Sequence, residues 1–291
     1  MIKAIGAGIT MNDTMTSDFA HQLNGMVKRW HAKGIHVWTV TEATLFPQPG
    51  QVKYTLGTGS TDHCATTWYS TTLSADEASG QTVLSITSND NMANSDKIGI
   101  VVDDGTIHWT TIVSSTSTTV TITTALDDSA TSGAKVFFYT SDIVRPLKVV
   151  DGRRYNVSDA ADTPVSMIAR RDYQAIPQKT SAGSINQAFY DRQLSYGYLY
   201  LWQVPSTATE LFNFTWHRPI EDFDAAGDNP DLPAEWIQTL EFNLALVMAP
   251  QFDVPSSKIR DIAAMAASFL DDMTGFDRED EAIFFQPDLG S

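Results

Sequence analysis

The sequence predicts an α+β fold: a helical core with a small antiparallel sheet, and an all-β sandwich or barrel-like domain inserted into it. Three observations predict it. Residues 228–269 read as two amphipathic helices joined by a short turn. Residues 58–145 are dominated by Ser and Thr and by short β-rich runs between Asn, Asp, Gly and Ser clusters. After Arg145 the earlier composition returns. The expected domains are therefore 1–57 and 146–291, forming the core in two parts, with 58–145 inserted between them.

Taken in order, the first helix is expected over residues 16–31. Thr16 or Ser17 caps it, Phe19, Leu23, Met26, Val27 and Trp30 make one stripe, and Gly34 ends it. Residues 35–40 and 52–56 read as strands about a turn at Gln48-Pro49-Gly50. In the insert, Asp104-Gly105 is a two-residue hairpin signal between Ile100-Val101-Val102 and Ile107-His108-Trp109. Asp151-Gly152 reads as a second hairpin turn. Residues 164–177 read as a short helix capped by Asp162 or Thr163, and FYDRQL, GYLYLWQV and ELFNFTWHR as a strand meander. In the terminal hairpin, Pro233 occupies a first turn where its missing N–H costs nothing. Trp236, Leu240, Leu244 and Val247 follow at helical spacing, and Pro250 stops that helix. Pro255 and Ser256 open the next one. It buries Ile259, Ile262, Ala263, Ala266, Phe269, Leu270 and Met273, and stops at Gly275.

At 291 residues with 42% hydrophobic and 19% charged residues, the chain can bury a sizeable core. Its start has no signal-type apolar run, and no segment approaches a membrane span. The single cysteine, Cys64, excludes an internal disulfide and a Cys-based zinc site. A soluble protein of a reducing cytoplasm is expected. The net charge of −16 is uneven: residues 221–291 hold sixteen acidic and three basic residues, a balance of −13. That excess opposes DNA wrapping by phosphate neutralisation. It suits both a wall past which DNA slides and plain solubility.

Motifs for chemistry are sparse. Glu221, Asp222, Asp224, Asp228 and Asp231 lack EF-hand spacing, and sequence neighbours do not establish a glycosidase pair. The six histidines form no H-x-x-x-H pair, and G-x-S-x-G and phosphate-cradling glycine loops are missing. Arg153-Arg154 and Arg170-Arg171 suit ion pairing. Trp68, Tyr69 and Trp109 suit either sugar stacking or a sheet core. No enzyme activity, cofactor or metal is expected.

Three segments read together resemble the head-to-tail adaptor proteins (tail accessory or head-completion proteins) of short-tailed bacteriophages. They are LNGMVKRWHAKGIHVWT at 23–39, FYDRQLSYGYLYLWQVP at 189–205, and RPIEDFD at 218–224 running through PAEWIQTLEFNLALVMAP at 233–250. The likeness covers roughly two-thirds of the chain, everything outside the insert. The extra helix with which the family often starts is poorly represented, and the Ser/Thr-rich insert departs from the minimal pattern. The resemblance implies that the helical part is an adaptor core. It implies a dodecameric ring of copies docked under a portal protein, retaining packaged DNA in its channel without reading sequence. That ring is the platform for a downstream nozzle or hub protein. The expected location is the virion head-tail junction, after assembly in the host cytoplasm, with no membrane involved. A polysaccharide-binding or polysaccharide-degrading tail protein, with the insert as its sugar-binding domain, is the alternative.

Candidate partner contacts are Arg218, which opens RPIEDFD, and Trp236, structural if buried and interfacial if exposed. To these are added the acids Asp271, Asp272, Asp277, Glu279, Asp280 and Glu281. Like charges in a closed ring repel unless they face water, cations or a partner's bases, so these acids are expected at the channel or against a basic partner.

Overall fold

A computed structural model describes residues 13–35, 39–223 and 231–276. In chain order the helices are α1 (Asp13–Ala32), α2 (Arg170–Ala175), α3 (Ile237–Met248) and α4 (Ser256–Phe276). The strands begin with β1 (Val40–Leu45), β2 (Lys53–Leu56), β3 (Cys64–Ala65) and β4 (Tyr69–Thr72). Next come β5 (Val83–Ser85), β6 (Lys97–Val101), β7 (Ile107–Ser115), β8 (Thr119–Ile122) and β9 (Lys135–Tyr139). After these follow β10 (Lys148–Asn156), β11 (Ala161–Met167), β12 (Ala182–Gly183) and β13 (Gln187–Arg192). The last are β14 (Gly197–Trp202), β15 (Val204–Pro205) and β16 (Glu210–His217).

This overturns the expected α+β fold of a helical core with a small sheet. Among the described residues the protein is mostly β, with sixteen strands and four α-helices. Amphipathic helices announce themselves by periodicity, whereas the longest strands here are broken by polar residues and by turn-like dipeptides. The chain divides into two compact units, residues 40–219 and the combination of 1–39 with 220–291.

The larger unit holds an eight-stranded sheet in the order β2-β14-β13-β11-β10-β16-β1-β3. Every pairing in it is antiparallel except β11 with β13. Its core is Leu45, Tyr54, Leu56, Leu199, Leu201, Phe212, Phe214, Trp216 and their neighbours. Asp151-Gly152, expected as a turn, lies inside the single strand β10. Gly152 is needed because Phe212 fills the space where a Cβ would be, with a ring carbon only 2.7 Å away. The helix expected at 164–177 is instead β11 followed by the short α2. Pro164 is tolerated where β11 has only β10 beside it, since β13 pairs no further than Ser166 and Met167. Of the strand expected at 35–40, residues 36–38 lie outside the described residues; β1 begins at Val40 and pairs with β16 through Leu45.

Within residues 69–139, six strands form a second sheet in the order β4-β9-β6-β7-β8-β5. Its two edges meet. Leu73 bridges Ile86, Ser74 N–H donates to the Ser85 carbonyl at 3.0 Å, and Thr87 N–H donates to the Thr72 carbonyl at 2.9 Å. Closure into a small barrel leaves no long edge unpaired. Ile98, Ile100, Val120, Val136, Phe138 and others fill the interior. Asp104-Gly105 does turn β6 into β7, with Gly105 at φ +88°. A further aromatic cluster of Phe46, Ala65, Ile107, Phe137, Tyr139, Ala208 and Leu211 joins the barrel to the large sheet.

In the other unit, α1 packs with the α3–α4 hairpin. Met26, Val27, Trp30, Ile220, Trp236, Leu240, Leu244 and Ile262 share one core. A 3-10 turn over Ala234–Trp236 leads into α3, and another over Ala249–Phe252 carries Pro250 at its first turn. α4 runs through Gly275 rather than stopping there.

Candidate functional site

The larger unit carries a pocket of about 430 Å³ lined by Phe46, Gln48, Gln51, Thr61, Asp62, His63, Ile107 and Trp109. It forms where the segment after β1 and the segment before β3 meet the start of β7. Gln48 fixes the junction by acting as a substitute strand: its amide donates to the Ile107 carbonyl at 2.7 Å, and Ile107 N–H donates to its Oε1 at 2.9 Å. Asp62 holds the opposite wall, accepting from Thr55 N–H and from the Gln51 amide, both at 2.6 Å. The buried Tyr54 hydroxyl donates into the same turn, to the carbonyls of Gln48 and Gln51.

His63 is the one ionisable base in that lining. Its ring stacks on Trp109 at 3.8 Å between centroids and 10° between planes. Its Nδ1 lies 2.8 Å from the Tyr139 hydroxyl, which lies 2.8 Å from Asp142 Oδ1. Asp142 is also ion-paired with Lys97. An ionised Asp142 only accepts, so Tyr139 donates to it and takes the Nδ1 proton of His63 in a hydrogen bond. Nε2 is then left as an unprotonated acceptor on a residue that lines the pocket. Burial pushes the His63 pKa down to about 4, the Lys97 ammonium acts in the same direction, and Asp142 opposes them. Burial and Asp142 together raise the Tyr139 phenol. At neutral pH the pocket therefore offers an aromatic wall, amide groups and a weakly basic acceptor. It suits binding a polar ligand better than driving proton transfer.

These partners are spread over residues 63–142, and no local motif could have joined them. Of the rings expected either to stack on sugar or to fill a core, Trp68 and Trp109 are half-buried against Phe46, with Trp68 also on Phe137 and Trp109 on Tyr139, and Trp109 also lines the pocket. Trp68 Nε1 donates to Thr44 at 2.9 Å. Tyr69 stays 40% exposed, stacked on Phe138.

The sequence-predicted contact residues lie elsewhere. Trp236 is 2% exposed and packs on Trp30 at 5.8 Å, so it is a core residue of the helical unit. Arg218 is half-buried beside the Pro219 carbonyl. Asp271 and Asp272 are exposed on the last turns of α4. Asp277, Glu279, Asp280 and Glu281 lie outside the described residues, as do Asp224 and Asp228. Of the remaining acids in that stretch, Asp222 pairs with Lys28 at 2.7 Å and Asp231 accepts from Glu221 N–H at 3.2 Å. Of the paired arginines, Arg153 pairs with Glu42, Arg154 with Glu210 and Arg170 with Asp191 within the larger unit, and Arg171 is exposed. Among the described residues, no group of three or more His, Cys, Asp or Glu is placed to hold a metal ion. Nor is any described helix long and apolar enough to cross a membrane.

The chain matches no protein-family model and no curated protein.

Proposed function

We propose that this chain is a structural virion protein, a ring-forming head-to-tail adaptor. It docks under a portal, helps retain packaged DNA and presents a platform to the next tail component. One observation carries the reading furthest. The described parts of two segments that resemble such adaptors, 23–39 and 218–250, come from opposite ends of the sequence and share one core. Met26, Val27 and Trp30 from the first interlock with Ile220, Trp236, Leu240 and Leu244 from the second. The bundle is also acidic on its outer face, where Asp261, Asp271 and Asp272 are exposed, as suits a channel wall or a contact with basic partners.

The test is co-sedimentation with purified portal rings, at one adaptor per portal subunit. Reversing Asp271 and Asp272 to Lys is expected to leave the fold intact and to weaken docking or DNA retention in a salt-dependent way. Retention of full stoichiometry after deletion of residues 237–276 would sink the assignment of the docking surface. The polysaccharide reading draws on the 430 Å³ pocket. It is tested separately by titrating oligosaccharides and following the His63 ring signals.

A further inference from the structure

The surface of the larger unit has an apolar side chain standing alone. Leu194, at the tip of the β13–β14 hairpin, is 94% exposed, far more than any other large apolar side chain among the described residues. The base of the tip is held in place. Gln193 N–H closes it on the Tyr196 carbonyl at 3.2 Å, and Gly57 lets the Tyr196 ring and Arg145 close against it at 3.1 and 3.6 Å from where a Cβ would stand. Two cations lie close by: exposed Arg192 two residues before Leu194, and half-buried Arg145, whose Cβ meets Gly57 beside the Tyr196 ring. Arg145 and Arg192 both lie close enough to Tyr190 to lower its phenol pKa, opposing the burial that raises it. Neither arginine is in an ion pair among the described residues, whereas nearby Asp191 is already taken by Arg170.

The helical unit carries the complementary surface. Phe242 of α3 and Phe269 of α4 pair at 5.1 Å, half-buried, outside the core that the rest of the hairpin builds. Met265, one turn before Phe269 on the same flank of α4, is 49% exposed. Asp261 and Asp272 stand exposed on that flank, one turn to either side of this apolar strip. An apolar strip with a carboxylate one turn beyond each end fits an apolar tip with two arginines close by.

We propose that these two surfaces meet between copies of this chain. The Leu194 tip of one copy seats on the Phe242–Met265–Phe269 strip of the next, with Arg145 and Arg192 facing Asp261 and Asp272. Two identical acidic strips repel, so a symmetric strip-to-strip dimer is disfavoured, and the charges select a head-to-tail contact. Such a contact uses two different patches and propagates, closing into a ring when the rotation permits. The inference rests on the ring proposed above and names the contact that builds it.

The experiment needs no portal. A Leu194→Cys chain is mixed with a Met265→Cys chain and treated with a short bismaleimide; native Cys64 is buried and does not compete. The expected result is a cross-linked heterodimer that fades as salt is raised and falls about tenfold when the Leu194→Cys chain also carries Arg145→Glu and Arg192→Glu. Adding Asp261→Arg and Asp272→Arg to the other chain restores it. Cross-linking no greater than that of a Leu194→Cys chain with a Val83→Cys chain overturns the proposal, as does product indifferent to the arginine reversals. Portal binding is measured apart. Its loss with cross-linking intact removes the adaptor reading alone, and its persistence without cross-linking removes this contact alone.

Discussion

Trp30 and Trp236 lie with ring centroids 5.8 Å apart and planes inclined at 52°. One closes α1 and the other opens the terminal hairpin, so this pair ties the first helix to the last two. Both rings are buried, at 6% and 2% exposure. Trp236→Ala is expected to cost ~3–5 kcal/mol through the lost transfer energy and the cavity left behind. Urea unfolding monitored by helical circular dichroism checks it. A cost below ~1 kcal/mol would mean that the bundle collapses into the space or does not hold Trp236 as described.

Excising the barrel is expected to damage its surroundings. Composition alone suggests a clean splice from Gly57 to Pro146, because the insert differs so sharply from its flanks. The structure places Phe137, Tyr139 and Ile107 of the barrel in one cluster with Phe46, Ala208 and Leu211 of the large-sheet region. Trp68 also donates to Thr44 of β1. Removing the insert strips Phe46 and Leu211 of their cover and deletes β3 from the sheet edge. The spliced chain should lose its near-ultraviolet aromatic signal and bind a hydrophobic dye. Cooperative melting with a retained aromatic signal would show that this cluster contributes little.

How much was legible depended on where each element keeps its information. α1, α3 and α4 could be read because Phe19, Met26, Val27 and Trp30, then Leu240, Leu244, Ile262 and Ala266, recur at helical spacing and bury one face. The β6–β7 hairpin could be read from Asp104-Gly105. The dominance of sheet could not. β10 reads Lys148-Val-Val-Asp-Gly-Arg-Arg-Tyr-Asn, and the position of Gly152 is dictated by Phe212, sixty residues on, rather than by a turn. β11 holds Pro164 for a reason visible only once β13 is seen to stop short. The pocket was still less legible. His63 gains its tautomer from Tyr139 and Asp142, and its low basicity from burial and then Lys97; none of these three residues is near it in sequence.

Gly99 controls the pocket from behind. It pairs directly with Trp109 across β6 and β7, and a Cβ there would come within 2.7 Å of Ile107 and 2.8 Å of the Trp109 ring. Gly99→Ala is expected to push Trp109 off His63 and to cost ~1–3 kcal/mol as overpacking. The ring-current shift that Trp109 imposes on the His63 ring protons reports the movement by NMR. Unchanged His63 shifts would place the relaxation in Ile107 instead.

His63 makes stability depend on pH in a predictable direction. In the folded protein, burial and then Lys97 hold its pKa at about 4 against the opposing pull of Asp142, whereas its ordinary value is 6.5. Between those values the unfolded chain binds a proton that the native protein refuses. Stability from this group is therefore fully present above pH 6.5, falls as the pH drops toward about 4, and falls no further once both states are protonated. The slope contributed is at most ~1.4 kcal/mol per pH unit for one proton. His63→Gln removes the titrating group and leaves an amide able to donate to Tyr139, so its unfolding free energy should fall less steeply than that of the native protein across this window. Urea denaturation at a series of pH values from 4 to 7 measures both slopes. Parallel slopes would show that His63 takes up its proton in the folded state as readily as in the unfolded chain, and the low basicity assigned to it here would be lost with that result.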